Sequence, residues 1–248
     1  MTIDFSGWDL GLIAAVSVQA TVLAYVYDPR WKAFAMALPV PFTVAVLSVG
    51  RPIGAANALG LVDLLLYTHG VRWIRDGLGL PIVPSIVLAA AGYCLIGCGM
   101  VQVLPPTAAA FWASAVGVIA LGGALYIGLP HRVERGHRTP LPVWAKLPII
   151  VGVVLFLVAM KGALQGFMTV FPMVGVIASY EARHSLWTMG RQIPILMLTM
   201  APMMMAARLA QPHVGLGPSL VVGWAVFLMV LVPLTRHNMA RAAATAKR

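Results

Sequence analysis

The sequence predicts an all-α, polytopic integral membrane protein with about nine transmembrane helices. Of its 248 residues, 60% are hydrophobic and only 10% are charged, whereas soluble domains carry about 25% charged residues. The apolar residues form runs of about 18 to 25, which is long enough for a helix to cross a hydrocarbon core. Backbone in lipid must satisfy its own hydrogen bonds, so we expect these runs to be helices.

The apolar runs define nine predicted helices in chain order. They lie at about 9–27, 32–50, 52–74, 79–103, 107–129, 143–160, 162–181, 184–210 and 214–235. Turn residues separate them, such as Asp28-Pro29 after the first helix and Pro105-Pro106 after the fourth.

The basic residues indicate an orientation in the membrane. With the N-terminus outside, thirteen Lys and Arg residues fall on the cytoplasmic side, and three, Arg51, Lys161 and Arg208, fall outside. We therefore expect a multi-pass protein of the cell (inner) membrane with a cytoplasmic C-terminus. This bias also explains the net charge of +10 without nucleic acid as a partner. Acidic lipid head groups at the cytoplasmic face are the partners that such loops favour.

A weak internal repeat divides the chain into two halves. Three pairs align without a gap: Pro41 with Pro172, Ser48 with Ser179, and Thr68 with Thr199. The predicted units are a first four-helix repeat (1–105), a linker helix with a basic cytoplasmic loop (106–140), and a second four-helix repeat with a short basic tail (141–248). A single linker helix would invert the second copy, as in many secondary transporters. Apolar sequences also align by chance, which is the alternative explanation.

Asp63, in the middle of the third predicted helix, is the candidate coupling residue. Desolvation penalises a charged carboxylate at this depth, and a group of this kind suits proton coupling. Asn57 lies about two turns earlier and His69 about two turns later, and we expect both to face the same pathway. The alternative is a protonated Asp63 that is hydrogen-bonded to a neighbouring helix.

Two prolines and a polar turn complete the predicted solute site. Pro41 and Pro172 are expected to interrupt the second and seventh helices around a site at the membrane midplane, because proline removes a helical hydrogen bond. Polar residues cluster where the seventh helix turns into the eighth: Tyr180, Glu181, Arg183, His184 and Arg191. These residues predict a cytoplasmic vestibule for an anionic solute. The alternative is an interfacial loop held by an ion pair of Glu181 with an arginine.

Sulfur ligands raise a second possibility, which is Cu(I) transport. Cys94 and Cys98 lie one turn apart, and the eighth predicted helix carries Met197, Met200 and Met204. Methionine is also an ordinary filler of apolar gaps. We expect no resident cofactor or metal, because the sequence contains no HExxH, GxSxG, GxGxxG or P-loop pattern.

The stretch from Lys161 to Tyr180 resembles the signature of the GlpM-like small inner-membrane proteins. In that family, a Lys and small residues precede an apolar Phe-Pro segment that ends in a polar Ala-x-Tyr, as Phe171-Pro172 and Ala178-Ser179-Tyr180 do here. The members are shorter, so the resemblance implies a fused duplication, a membrane location and a role in transport. The first half departs from the pattern, since Val40-Pro41 stands in place of Phe-Pro.

Together these patterns predict a secondary transporter (permease) for a small, anionic solute, coupled to protons through Asp63. A non-transporting subunit that anchors or scaffolds a partner complex is the main alternative. An intramembrane lipid-modifying enzyme that uses Glu181 and His184 is a further one. Either a homodimer or an assembly with a partner subunit is compatible with the sequence.

Overall fold

The structure is a computed structural model that describes residues 7–130, 132, 134 and 142–246, and the regular structure of these residues is α-helical. The predicted all-α class is therefore confirmed. The described part of the chain forms eleven helices in this order: α1 (Gly7–Tyr25), α2 (Pro29–Ala37), α3 (Val40–Val49), α4 (Ala55–Leu78), α5 (Ile82–Val103), α6 (Ala108–Gly128), α7 (Val143–Leu164), α8 (Gly166–Val170), α9 (Met173–Glu181), α10 (Leu186–Val214) and α11 (Leu216–Ala246).

Within the part of the chain that the structure describes, four helices are long and apolar enough to cross a membrane: α5, α6, α10, and α11 over Leu216–His237. Helix α4 is equally long but more polar, since it carries Asn57, Asp63 and His69. Shorter apolar helical stretches occupy Gly7–Leu23, Phe34–Val49, Leu147–Met160 and Gly166–Glu181. Parts of the predicted basic regions, including Arg135, Arg138, Lys247 and Arg248, lie outside the described residues.

Two of the predicted helices are each divided into two pieces. The run predicted at 32–50 forms α2 and α3, which are separated at Leu38-Pro39, while Pro41 lies in the first turn of α3. Proline is tolerated there because the first helical N–H groups have no partner within the helix. The run predicted at 162–181 forms α8 and α9, which are separated at Phe171-Pro172. The interruption expected at Pro172 is thus present, and the first interruption comes two residues before Pro41.

Helices α4 and α10 form the centre of the bundle. Within the apolar stretch of α10, 61% of the residues are buried, against 22–28% in α5, α6 and α11. Helix α4 packs on α5, α6 and α8, and α10 packs on α2, α6 and α11. The peripheral helices expose large apolar side chains, including Leu95, Ile127 and Met229, as expected of surfaces that face lipid.

The short helix α8 is held tightly against α4. A Cβ atom added at Gly60 would lie 3.0 Å from the Cβ of Val170, and one added at Gly166 would lie 2.8 Å from the Cβ of Ala56. Small residues on both helices therefore permit a close approach. The link from α7 into α8 passes through Gln165, whose φ of 45° is unusual for a residue other than glycine.

Candidate functional site

The two interrupted segments meet at one small cavity, which we call the break cavity. It has a volume of about 70 Å³ and is lined by Pro39 and Pro41 near the first interruption and by Phe171 and Pro172 at the second. Residues of α4 and α10 complete its wall. Helix interruptions leave backbone groups without helical partners. Such groups can bind a solute or an ion when they line a cavity inside a membrane bundle.

Polar side chains attach α4 to both sides of the second interruption. The Asn57 side-chain amide donates to the Thr169 hydroxyl on α8 at 2.9 Å, and the Asn57 oxygen accepts from the Gly54 N–H at 2.8 Å. On the other side, the hydroxyls of Tyr67 and Ser179 are 3.4 Å apart. Helix α4 is therefore fixed to α8 and to α9 separately, and these contacts position the interruption between them.

Asp63 lies between these two attachments along α4. It is one turn from Gly60, which contacts α8, and one turn from Tyr67, which contacts α9. Its carboxylate is within electrostatic range of Tyr93 and Cys94 on α5. Asp63 is 2% exposed, and neither carboxylate oxygen has a hydrogen-bond partner among the described residues. Burial without a partner penalises the charged carboxylate more than the neutral acid.

His69 does not share a face of α4 with Asp63. Its ring lies edge-on to Trp187, with 6.4 Å between the ring centres. The ring also packs against Gly190 on α10, where an added Cβ would lie 3.2 Å from the His69 Cε1. At about 100° per residue, a separation of six residues corresponds to about 600° of rotation, which is about 120° short of two full turns. The two side chains therefore point in different directions. The expectation that Asn57 and His69 face one pathway with Asp63 stays a prediction.

The residues of the predicted polar turn between α9 and α10 come together only in part. The Arg183 guanidinium donates to the Tyr180 carbonyl at 3.1 Å and lies 5.0 Å from the centre of its ring. Arg191 instead donates to the carbonyl of Leu129, after the end of α6, at 3.2 Å. Glu181 is fully buried and His184 is exposed. These residues lie at one end of the bundle, but they do not all line one common surface.

Glu134 and Trp187 are prominent at this end and were not identified from the sequence. The Glu134 carboxylate accepts from the backbone N–H groups of Trp187 at 3.3 Å and Thr188 at 2.6 Å. A carboxylate at this position is stabilised by the first turn of α10. The guanidinium groups of Arg72 and Arg132 lie 4.5 and 4.3 Å from the centre of the Trp187 ring. The sequence does single out Glu134 in one respect, since it is the only acidic residue between Asp76 and Glu181.

Two arginines make matching contacts at opposite ends of the bundle. Arg75, near the end of α4, donates to the carbonyl of Arg183, just before α10 begins. Arg208, near the end of α10, donates to the carbonyl of Ile53, just before α4 begins. Helices α4 and α10 therefore run antiparallel, and each reaches the connection that precedes the other.

A larger cavity of about 400 Å³ lies where α4 begins, and we call it the arginine cavity. Its wall includes Arg51, Arg208, Asn57 and Gln165, together with the Leu104–Thr107 connection between α5 and α6. The break cavity lies further along α4, towards Tyr67 and Thr68. Asp63 lines neither of these two cavities.

The candidate copper ligands lie on two helices that have different main neighbours. Cys94 and Cys98 are on α5, which packs on α4, α7 and α9, whereas α10 packs on α2, α4, α6 and α11. The methionines Met197, Met203 and Met204 of α10 are fully buried, and Met200 lines the break cavity. Within the described residues, there is no group of three or more His, Cys, Asp or Glu placed to hold a metal ion.

Comparison with known proteins found no family model, no curated protein and no solved structure that matches this chain significantly.

Proposed function

We propose that this chain is a secondary transporter (permease) for a small anionic solute, with nine membrane-spanning segments arranged as two inverted repeats around α6. The order of elements supports the repeat. Helices α1 to α5 comprise a long helix, an interrupted pair and two long helices, and α7 to α11 follow the same order. A single helix between two such units reverses the direction of the second one.

The alignment of the two halves gives further support. The spacing that aligns Pro41 with Pro172 also aligns Ala55 with Leu186, which are the first residues of α4 and α10. Arg75 and Arg208 each reach the connection that precedes the other helix, as antiparallel neighbours do, but this spacing aligns Arg75 with Ala206 and not with Arg208.

The meeting of the two interrupted segments at the break cavity is the observation that carries the proposal. Discontinuous helices from the two halves, next to a pair of central helices, are the arrangement in which transporters bind solutes near the membrane midplane. Opening the cavity first to one side and then to the other would move the solute across the membrane.

The distribution of arginines supports an orientation. Arg72, Arg132 and Arg191 lie at the end of the bundle where α10 begins, whereas Arg51 and Arg208 lie at the opposite end. The positive-inside rule puts the first group in the cytoplasm. With nine spans, the N-terminus is then outside and the C-terminus is cytoplasmic, in the cell membrane.

Asp63 is the proposed coupling residue. It lies level with the α8–α9 interruption, and its carboxyl oxygens are buried without hydrogen-bond partners among the described residues. Movement of α8 and α9 away from α4 would admit water to Asp63 and allow it to release or take up a proton. Closure would restore the dry environment that favours the neutral acid.

Proton flux into proteoliposomes tests this function directly. Vesicles that contain the protein and a trapped pH-sensitive dye are given phosphate or succinate on one side. We expect at least one of these anions to drive proton movement, and we expect Asp63→Asn to abolish it in a folded protein. Asp76→Asn is the matched control, because Asp76 is an exposed acid on the same helix. Full activity of Asp63→Asn would refute the coupling role.

A further inference from the structure

The arginine cavity combines positive charge with room for a ligand. Its wall includes Arg51 and Arg208, and it includes no Asp or Glu among the described residues. Its volume of about 400 Å³ falls within the range of about 300–1,000 Å³ that is usual for small-molecule sites. The break cavity, at about 70 Å³, is smaller.

Several hydrogen-bond donors of this cavity are not used by the protein. Arg208 donates to the carbonyl of Ile53, which uses one of the five N–H groups of a guanidinium. Arg51 is exposed, and neither it nor the side chain of Gln165 has a hydrogen-bond partner among the described residues. Gln165 also has the strained φ of 45°, and strain of this kind is often found at functional positions.

We propose that the arginine cavity binds a small oxyanion, which is a phosphate or a carboxylate group, between Arg51 and Arg208. Guanidinium groups bind such anions through charge-assisted hydrogen bonds that are stronger than neutral ones. The absence of carboxylates from the described wall leaves the two positive charges without an internal counter-ion. Oxyanion binding does not depend on the transporter proposed above. If that transporter is correct, the arginine cavity would also be where the solute enters from the outer side.

Equilibrium dialysis with radiolabelled inorganic phosphate tests the site in the purified full-length protein, at fixed chloride and without anionic lipid. We expect saturable binding. Arg51→Gln and Arg208→Gln should each weaken it on the order of tenfold, because each loses a charge-assisted hydrogen bond. Arg75→Gln is the matched control, since Arg75 makes the same kind of carbonyl contact at the other end of the bundle. Its affinity should stay unchanged.

The absence of saturable binding, or equal weakening by Arg75→Gln, would overturn the proposal. If Arg208→Gln does not fold, Arg51→Gln carries the test alone, because the exposed Arg51 has no hydrogen bond to lose within the described residues. Nanodiscs distinguish the two sources of phosphate. Lower phosphate affinity in phosphatidylglycerol than in phosphatidylcholine would identify a lipid head group as the occupant, and equal affinity would identify a free anion.

The outcomes for the site and for transport can be separated. Asp63→Asn should retain phosphate binding, because Asp63 does not line the arginine cavity. Phosphate binding without proton flux in any condition would leave the site in place and refute the transporter. If the protein binds no phosphate, and proton flux is unchanged in Arg51→Gln and Arg208→Gln, the site is refuted and the transporter is retained.

Discussion

Replacing Gly60 with alanine should loosen the packing of the interrupted segment α8–α9 on α4. The added Cβ would lie 3.0 Å from the Cβ of Val170 and 3.4 Å from the Tyr93 hydroxyl, whereas apolar carbons rest at about 3.5–4.0 Å. Neither neighbour can withdraw freely, because the Val170 Cβ is bonded to the backbone and the Tyr93 hydroxyl donates to the Phe167 carbonyl at 2.8 Å. Overpacking costs about 1–3 kcal/mol, and alanine returns about 1 kcal/mol of helix propensity. We expect a net loss of about 1 kcal/mol in the free energy of unfolding.

Gly70→Ala is the matched control, because Gly70 lies in the same helix and its added Cβ would be 3.8 Å from the Cβ of Ala89. This is an ordinary contact, so the variant should gain up to about 1 kcal/mol from helix propensity. The two variants should therefore differ by about 2 kcal/mol. Reversible unfolding in detergent micelles, followed by tryptophan fluorescence, measures the difference. If Gly60→Ala is as stable as Gly70→Ala, α8 is not packed on α4 as the structure describes.

Three further substitutions test other contacts by the same unfolding measurement. Tyr93→Phe should cost about 1 kcal/mol, because a buried carbonyl of α8 loses its donor, and unchanged stability would contradict this hydrogen bond. Glu134→Gln should cost about 0.5–1 kcal/mol by removing the charge at the first turn of α10, and a stability equal to that of the wild type would show that this charge contributes nothing. Gly122→Ala would place a Cβ 2.9 Å from α10, whereas Gly123→Ala meets nothing within 4 Å. The first should therefore be less stable by about 1–3 kcal/mol, and a reversed order would refute the α6–α10 contact.

The apolar runs predicted the long peripheral helices well, because a helix that is to face lipid needs apolar residues along its length. Predicted helices at 79–103 and 107–129 correspond to α5 (Ile82–Val103) and α6 (Ala108–Gly128). The interruptions were harder to predict. Proline removes one hydrogen bond, but the neighbours decide whether a helix bends or separates. The sequence therefore pointed to Pro41, whereas the chain separates at Leu38-Pro39.

The candidate site depends on contacts between distant parts of the chain, which a single sequence does not specify. Glu134 reaches the start of α10 from more than 50 residues away, and Ser185, a plausible capping residue, makes no capping hydrogen bond. The separation of His69 from Asp63 was predictable in principle. Helical rotation over six residues already puts them on different faces.

The buried methionines of α10 would reveal any opening of the helix bundle by their oxidation. Peroxide converts a methionine thioether to a sulfoxide only where it can reach the sulfur. Met229 on α11 is 74% exposed, whereas Met197, Met203 and Met204 are fully buried. Peroxide should therefore oxidise Met229 first, and it should oxidise the central methionines only if the helices part. Oxidative damage at the centre would add polar oxygen to a dry core and would hold the bundle away from its closed packing.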